Sequence, residues 1–479
     1  MYDILLIGAG VTGCAVARVL SRYEGRIAVL EKGEDVAVGA SKANSGIVHA
    51  GFDAHTGTKK AYYNVKGAGM YPQLAAELGV PYQNNGSLVL GFTDEDLETL
   101  KELKTQGEAN GVEGLSLLDK QQVLDMEPMV NPAVTGALLA ATAGIVSPYE
   151  MTIALAYHAA QNGVEFVFDA PVESIDYKDG IFTVTAGGKQ YQARAVINCA
   201  GVHSGHVRGM LSAEKVAIVP RRGEYYLLDH TVKCPFTHTM FQCPGKMGKG
   251  VLVTPTAHGN VLLGPSAEEI PDGDDTVTTR EGLDFVLEKC RLTWPGVNTR
   301  GAITAFSGNR AHCTDGDFHV GAVPGASEGA FEATGVESPG LTAAPAIGEE
   351  LGNMAAAYLK LPMKNDYQPA VPLNKAFFAM TDEERADACR RDPLYGNLIC
   401  RCEQVTEAEI RDALRRPVPA RSLDGVKRRT RAGMGRCQGG FCSPRVVEII
   451  CEETGMDPLE VTKCGGESYL LTGTLKKEG

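Results

Sequence analysis

Two cysteine pairs, Cys400-Arg401-Cys402 and Cys437-Gln438-Gly439-Gly440-Phe441-Cys442, carry the strongest metal-binding signal in the chain. Four thiolates can enclose a metal, and four-cysteine sets also build structural zinc sites. Such zinc sites favour about two to four residues between paired cysteines, so the single residue inside the first pair argues against zinc. At the other end of the chain, Gly8-Ala9-Gly10-Val11-Thr12-Gly13 follows the apolar run Ile4-Leu5-Leu6-Ile7. In this pattern Gly8 permits a tight turn, Gly10 lets the backbone approach a pyrophosphate, and Gly13 lets the following helix pack on the strand. The helix N-terminus adds free N–H groups and a positive dipole end. Glu31, with Lys32 beside it, ends a second apolar run, where a carboxylate suits a ribose diol and disfavours a 2′-phosphate. His49 lies in a loop of small residues; its imidazole has the acidity to accept a hydroxyl proton, or it is a hydrogen-bonded structural residue.

The elements that must position these groups are legible around them. Arg26-Ile27-Ala28-Val29-Leu30 reads as the second strand of a Rossmann unit. Val164–Phe168 reads as a third strand, and Ala195-Val196-Ile197-Asn198-Cys199 as a parallel strand ending in Ala200-Gly201, where ligands of such sheets bind. Ser87–Phe92 reads as a buried strand and Asp94–Leu103 as an exposed amphipathic helix. From Val219 to about residue 310 short alternating strands and turns suggest an antiparallel sheet. On one of them Tyr225 and Tyr226 must point to opposite faces. The loop before Gly340-Leu341-Thr342 leads into a long helix. The chain has 479 residues, enough for two or three domains, with 44% hydrophobic and 22% charged residues. No apolar run reaches the roughly 18–20 residues of a membrane span. A strand starting almost at the first residue is expected to belong to the fold rather than to a signal peptide. A formal charge of −13 argues against general nucleic-acid binding, and 13 cysteines without a secretion signal point to a reducing, cytoplasmic setting.

The stretch Gly39-Ala40-Ser41-Lys42-Ala43-Asn44-Ser45-Gly46-Ile47-Val48-His49-Ala50-Gly51 resembles the flavin-contacting loop of the D-amino-acid oxidase superfamily. It is most similar to the branch of FAD-linked glycerol-3-phosphate and L-2-hydroxyglutarate dehydrogenases. The resemblance implies FAD rather than NAD in the Rossmann unit. Ser41, Asn44 and Ser45 would then contact the flavin, the backbone at Val172 the adenine, and Ala200 and Gly201 the cofactor at the strand end. Gly340, Leu341 and Thr342 would meet the flavin pyrimidine, where a helix N-terminus stabilises the charge of reduction. Pro220-Arg221-Arg222-Gly223-Glu224-Tyr225-Tyr226 looks like the first strand of that branch's substrate domain, which puts Tyr225 and Tyr226 at the substrate. Arg310, in Gly308-Asn309-Arg310, occupies the position of an arginine that grips an anionic substrate group, a task suited to its planar fork.

Around the cysteines, Ile399-Cys400-Arg401-Cys402-Glu403-Gln404-Val405-Thr406, Val426–Gly435 and Pro444-Arg445-Val446-Val447 resemble the bacterioferritin-associated-ferredoxin-like [2Fe–2S] domain. That resemblance makes Cys400, Cys402, Cys437 and Cys442 the cluster ligands. The basic residues Lys427, Arg428, Arg429, Arg431 and Arg436 would offset the anionic cluster and dock an acidic partner.

The expected architecture is α/β. A discontinuous Rossmann-type FAD domain (1–80, 146–215, 316–362) carries an antiparallel-sheet substrate domain (81–145, 216–315). A linker (363–395), a small α-rich [2Fe–2S] domain (396–455) and a tail (456–479) follow. The combination is similar to the A-type subunits of anaerobic glycerol-3-phosphate dehydrogenases, which end in such a domain. It implies hydride transfer from a small anionic hydroxy substrate to FAD, with His49 as base and Arg310 as anion grip. Electrons would then pass singly through the cluster to a redox partner subunit. Peripheral membrane association would run through such a partner. The cluster domain makes sn-glycerol 3-phosphate, oxidised to dihydroxyacetone phosphate, the expected substrate, with L-2-hydroxyglutarate or another 2-hydroxy acid as the alternative. An electron relay fed by another chain, and a flavoprotein with structural zinc, are the remaining readings.

Overall fold

The apolar run at the start of the chain forms a strand, Tyr2–Ile7, whose Ile4, Leu5 and Leu6 are fully buried. Burial on both faces is what a central parallel strand requires. In the computed structural model, which describes residues 1–244 and 250–473, this strand lies between two parallel neighbours, Ile27–Leu30 and Lys189–Asn198. Glu165–Val167 extends the sheet beyond Ile27–Leu30. On the other side, Lys189–Asn198 pairs in parallel with Ala330–Thr334, and its first half turns back through Ile181–Ala186 and Val172–Lys178.

Helices cover this sheet by close backbone approach. Val11–Leu20 packs on Gly340–Leu359. A Cβ on Gly348 would lie 2.8 Å from Ala15, and one on Gly352 would lie 2.6 Å from Val19. Lys59–Leu78 crosses the same long helix at Gly67, where a Cβ would come within 2.0 Å of the Thr342 carbonyl oxygen.

The second sheet draws its strands from residues 87–140 and 218–313. Its spine is an antiparallel pair, Ile218–Leu228 against Ala302–Cys313, in register from Ile218 opposite Cys313 to Gly223 opposite Gly308 and beyond. The sheet is mostly antiparallel, with one parallel pair between Thr239–Gln242 and Ser87–Gly91. The strand-and-turn reading of residues 219–310 needs one correction. Arg280–Thr293 is a helix, seated on the sheet by Val286, Cys290 and Thr293 at helical spacing. Its cap, Thr279, donates from N–H and hydroxyl to the buried Glu224 carboxylate at 2.7 and 2.8 Å.

The C-terminal region is a small helical unit: Glu407–Arg415, Leu423–Thr430 and Ser443–Thr454, with a two-stranded ribbon, Leu398–Cys400 and Val405–Thr406. Two boundaries differ from the sequence reading. The expected linker holds a helix, Asp382–Arg391, started by a Thr381/Glu384 capping box. The expected tail packs back as far as it is described: Val461 is fully buried, and the Thr462 and Lys463 carbonyls accept from Leu423 and Asp424 N–H. Residues 474–479 of that tail lie outside the described residues. Among the described residues no helix is long and apolar enough to cross a membrane.

Candidate active site

One cavity of about 1340 Å³ opens between the two sheets and the C-terminal unit. That exceeds the roughly 300–1,000 Å³ of an ordinary small-molecule pocket. Its floor is the strand–turn–helix at the N-terminus. Gly8 has φ +103°, and a Cβ there would meet the Cys199 carbonyl oxygen at 2.6 Å. A Cβ on Gly13 would sit 2.0 Å from the Gly8 carbonyl oxygen, so only glycine permits this helix-to-turn contact. Gly10 faces the cavity, and Ser41 Oγ would lie 3.2 Å from a Cβ placed there. The Ser41 hydroxyl oxygen accepts from Val11 N–H at 2.9 Å and so orders the loop over the helix N-terminus.

Glu31 lines the cavity and is largely buried. It accepts from Ala9 N–H at 2.7 Å and Gly33 N–H at 2.8 Å. Burial raises its pKa above the ordinary carboxylate range, and the two backbone donors partly offset this. Lys32 reaches across the mouth to Asp274 at 2.5 Å. Ala170, Pro171, Val172, Ala200 and Gly201 complete this end. The loop around Asn44 is tied internally: its amide donates to Ala40 and Ser41 carbonyls and accepts from Gly46 N–H. Ser45, Gly340 and Leu341 line the middle, with the N-terminus of a 20-residue helix aimed at it.

At the far end stand His49, Tyr225, Phe241 and Arg310. The main chain of His49 is clamped, its N–H donating to Thr342 Oγ1 (3.0 Å) and its carbonyl accepting from Asn64 (2.7 Å). Its ring lies 5.8 Å from that of Phe241. Tyr225 is buried and stacks on its cross-strand neighbour Phe306 at 5.0 Å and 17°. Burial raises its phenol, and the positive charge of Arg310, with lesser help from polar contacts to Arg310 and Ser45, pulls it back. Gly223 makes room for the Arg310 guanidinium, since a Cβ there would come within 2.6 Å of Nη2.

Four of the residues expected at the ligands lie outside the cavity wall. Ala9 is fully buried and serves Glu31 through its N–H; Gly13 packs on Gly8. Thr342 spends its hydroxyl on the His49 loop, accepting from His49 N–H and donating to the Ile47 carbonyl. Tyr226, expected at the substrate, packs into the core of the second sheet, because neighbours on a strand face opposite ways. The sequence reading also missed cavity residues with no local signature: Tyr149, Phe241 and Asn260, and Arg431, Met434 and Gln438 from the C-terminal unit.

In that unit the four cysteines form two couples. Cys402 and Cys437 sulfurs are 3.7 Å apart. Cys400 and Cys442 act on each other, which lowers the Cys400 thiol and raises that of Cys442. Phe441 N–H lowers Cys437. Among the described residues, no three of the four sulfurs lie within 4.8 Å of one another. A tetrahedral zinc with bonds of about 2.3 Å would bring all four within about 4 Å. Two separated couples fit a two-iron cluster instead, one couple to each iron.

The basic residues near the cysteines do not form a free docking face. Arg428 and Arg429 pair with the fully buried Asp35 at 2.8 and 2.6 Å, and Arg431 pairs with Glu403 at 2.8 Å. Burial alone would raise Asp35; Arg429 and Arg428 overcome it and hold the carboxyl below its ordinary range. These arginines fasten the C-terminal unit to the Rossmann unit. Arg436 remains mostly exposed, 3.4 Å from Asp229.

With this geometry the chain belongs to the FAD dependent oxidoreductase family, which matches residues 3–354, and a BFD-like [2Fe-2S] binding domain matches residues 398–452. It is a flavoenzyme that binds FAD and a [2Fe–2S] cluster. Over 482 residues, covering all of both chains, it is 45% identical to the glycerol 3-phosphate dehydrogenase of Caloramator mitchellensis. It is 25% identical, over 94% of this chain and 88% of the relative, to an anaerobic glycerol-3-phosphate dehydrogenase subunit of Escherichia coli K12. Among solved structures, dithionite-reduced L-alpha-glycerophosphate oxidase from Mycoplasma pneumoniae with FAD bound is similar, at 29% identity. The TM-score is 0.74 over 78% of this chain and 99% of that one.

Proposed function

We propose that the protein oxidises sn-glycerol 3-phosphate to dihydroxyacetone phosphate and passes the electrons through its cluster to a redox partner protein. The end-to-end likeness to a glycerol 3-phosphate dehydrogenase, spanning both cofactor regions at once, carries this reading. The flavin, when bound, takes a hydride from a carbon bearing a hydroxyl and permits the change from two-electron to one-electron chemistry. The chain's own residues do the rest. The Arg310 fork, cleared by Gly223 and steadied by Tyr225, binds the substrate phosphate. The clamped main chain of His49 holds its imidazole where it takes the hydroxyl proton as the hydride leaves. The N-terminus of Gly340–Leu359 supplies positive potential at the middle of the cavity, where reduction adds negative charge. Phe241, Leu252 and Leu262 line this end and keep water from it.

The test is anaerobic bleaching of the protein-bound flavin by sn-glycerol 3-phosphate, L-2-hydroxyglutarate, lactate and NADH in turn. Fast bleaching by glycerol 3-phosphate alone is expected. Bleaching by L-2-hydroxyglutarate instead would make Arg310 a carboxylate grip and replace the substrate. Bleaching by NADH alone, or by none of the four, would remove the hydroxy-substrate dehydrogenase and leave an electron relay.

A further inference from the structure

Arg431 stands where three parts of the molecule meet. Its main chain is left-handed, φ +71° and ψ 2°, a conformation that a residue with a side chain holds only when its surroundings impose it. Its guanidinium is buried, and each of its three nitrogens donates a hydrogen bond. Nε donates to Glu403 at 2.8 Å, Nη1 to the Tyr149 hydroxyl at 3.1 Å, and Nη2 to Asn260 Oδ1 at 3.1 Å. Glu403 follows the cluster cysteine Cys402; Tyr149 opens the Rossmann-side helix Pro148–Gln161; Asn260 precedes the second-sheet strand Val261–Gly264. Arg431, Tyr149 and Asn260 all line the FAD cavity. So does Met434, three residues before Cys437, whose sulfur accepts from the Tyr149 hydroxyl at 3.6 Å.

Stability does not account for this arrangement, since a buried ion pair adds little net stability over apolar packing. The other Glu403 oxygen, Oε1, is buried without a hydrogen bond, with His230 Nδ1 at 3.9 Å, so the hydrogen-bonded Arg431 is the main compensation of that carboxylate.

We propose that Arg431 is the positioning residue that couples the cluster to the flavin cavity. It closes the Cys402 loop over the cavity through Glu403 and keeps that buried carboxylate, next to Cys402, compensated. This rests on the reading that electrons leave the flavin through the cluster. In each transfer the reduced flavin loses one electron and the oxidised iron pair gains it. An outside one-electron acceptor protein re-oxidises the cluster before the second electron follows, and the flavin's protons go to water. Left uncompensated, the Glu403 carboxylate would disfavour the cluster's more negative, reduced form; paired with Arg431 it does not.

The experiment uses the full chain with both cofactors. Arg431→Gly removes the guanidinium yet suits the left-handed backbone; Arg431→Lys keeps the charge and loses the fork. Electrons are delivered by a photochemical reductant, so that the result does not depend on any organic substrate. In Arg431→Gly, cluster reduction followed by electron paramagnetic resonance is expected to slow by about tenfold or more, with a more negative cluster potential. Arg431→Lys is expected to restore the potential and only part of the rate. In FAD-free protein, amide exchange over residues 398–404 and 431–437 is expected to quicken by about tenfold in Arg431→Gly. A native potential together with a native transfer rate in Arg431→Gly would overturn the proposal. So would a native rate in Arg431→Lys, if the glycine variant does not fold. Failure of the dehydrogenase reading shows itself elsewhere, as native flavin that no hydroxy substrate bleaches.

Discussion

The floor of the cavity is made of backbone, whereas the seam that holds the iron–sulfur unit against it is made of charged side chains. At the floor, Gly8 and Gly13 act by lacking a Cβ: the chain folds back until carbonyl oxygens occupy the space a methyl would need. At the seam, Asp35 is held by Arg428 and Arg429, and Arg421 reaches Asp169 at 3.0 Å. The first device tolerates almost no substitution but costs no desolvation. The second takes charges out of water and recovers that cost only while every partner is present. One part of the molecule is therefore fixed by shape and the other by electrostatics, and they should fail in different ways.

Gly13→Ala attacks the first device with a single methyl, placed 2.0 Å from the Gly8 carbonyl oxygen. The helix must move away from the turn, at a cost of about 3 kcal/mol, and its N-terminus leaves the cofactor phosphates. Protein purified from this variant is expected to carry less than about a tenth of the native flavin while the cluster signal persists. Native flavin content in Gly13→Ala would break the contrast at once.

Cys437→Ser makes the converse cut. Cys437 and Cys402, 3.7 Å apart, would share in holding the cluster, and replacing one thiolate would remove part of that hold. Acid-labile sulfide and the cluster's paramagnetic signal are expected to vanish, with flavin content within about a fifth of native. Loss of both cofactors together would show that the two sites are one cooperative unit.

Asp35→Ala acts on the seam itself. It strands Arg429, beside Tyr157 and the Val418 carbonyl, leaves Arg428 only Glu34 at 3.6 Å, and is expected to cost about 3–5 kcal/mol in docking the C-terminal unit. Early proteolysis between residues 363 and 397, with the Rossmann unit intact, would report it. The same contact has a pH signature. Because the folded Asp35 lies below its ordinary value, its contribution is fully present above the unfolded value of about 3.9 and is lost as pH falls through the lower, folded one. The seam should therefore open below about pH 4, and the opening should be absent from Asp35→Ala.

The same contrast explains what could be read from the amino-acid sequence. The glycine turn, Glu31 and the paired cysteines were legible because their chemistry is local: each motif spans a few residues and its spacing states its geometry. Ser87–Gly91 was legible as a short continuous apolar run buried on both faces, and Asp94–Ala109 because burial on one side leaves a periodic pattern. The seam was not, because Asp35 and Arg429 are 394 residues apart and charged residues ordinarily face water. The basic run thus read as a docking face for another protein and proved to be docked within its own chain. Tyr149, Asn260 and Met434 gave no signal for the same reason: they reach the cavity only when three parts of the chain converge. The helix Arg280–Thr293 was hidden among turn residues, and its buried positions, Val286, Cys290 and Thr293, are too few to stand out.

The smallest expected effect is the most discriminating, because it asks whether one strand's alternation sets the substrate end of the cavity. Tyr225 and Tyr226 are chemically alike and adjacent, but only Tyr225 faces Arg310 and Ser45; Tyr226 packs against the core of the second sheet. Tyr225→Phe keeps the ring and its stacking on Phe306 while removing the hydroxyl that steadies the guanidinium. Loss of one such hydrogen bond is worth roughly 1 kcal/mol, or about fivefold. It should appear in the KM for the anionic substrate and leave the rate of flavin bleaching at saturation within about twofold, because the arginine binds ground state and transition state alike. Tyr226→Phe should leave both within about twofold and alter only thermal stability. Equal KM effects from the two variants would mean that the strand is turned over when substrate is bound, and that the shape-built half of the molecule is less fixed than its glycines imply.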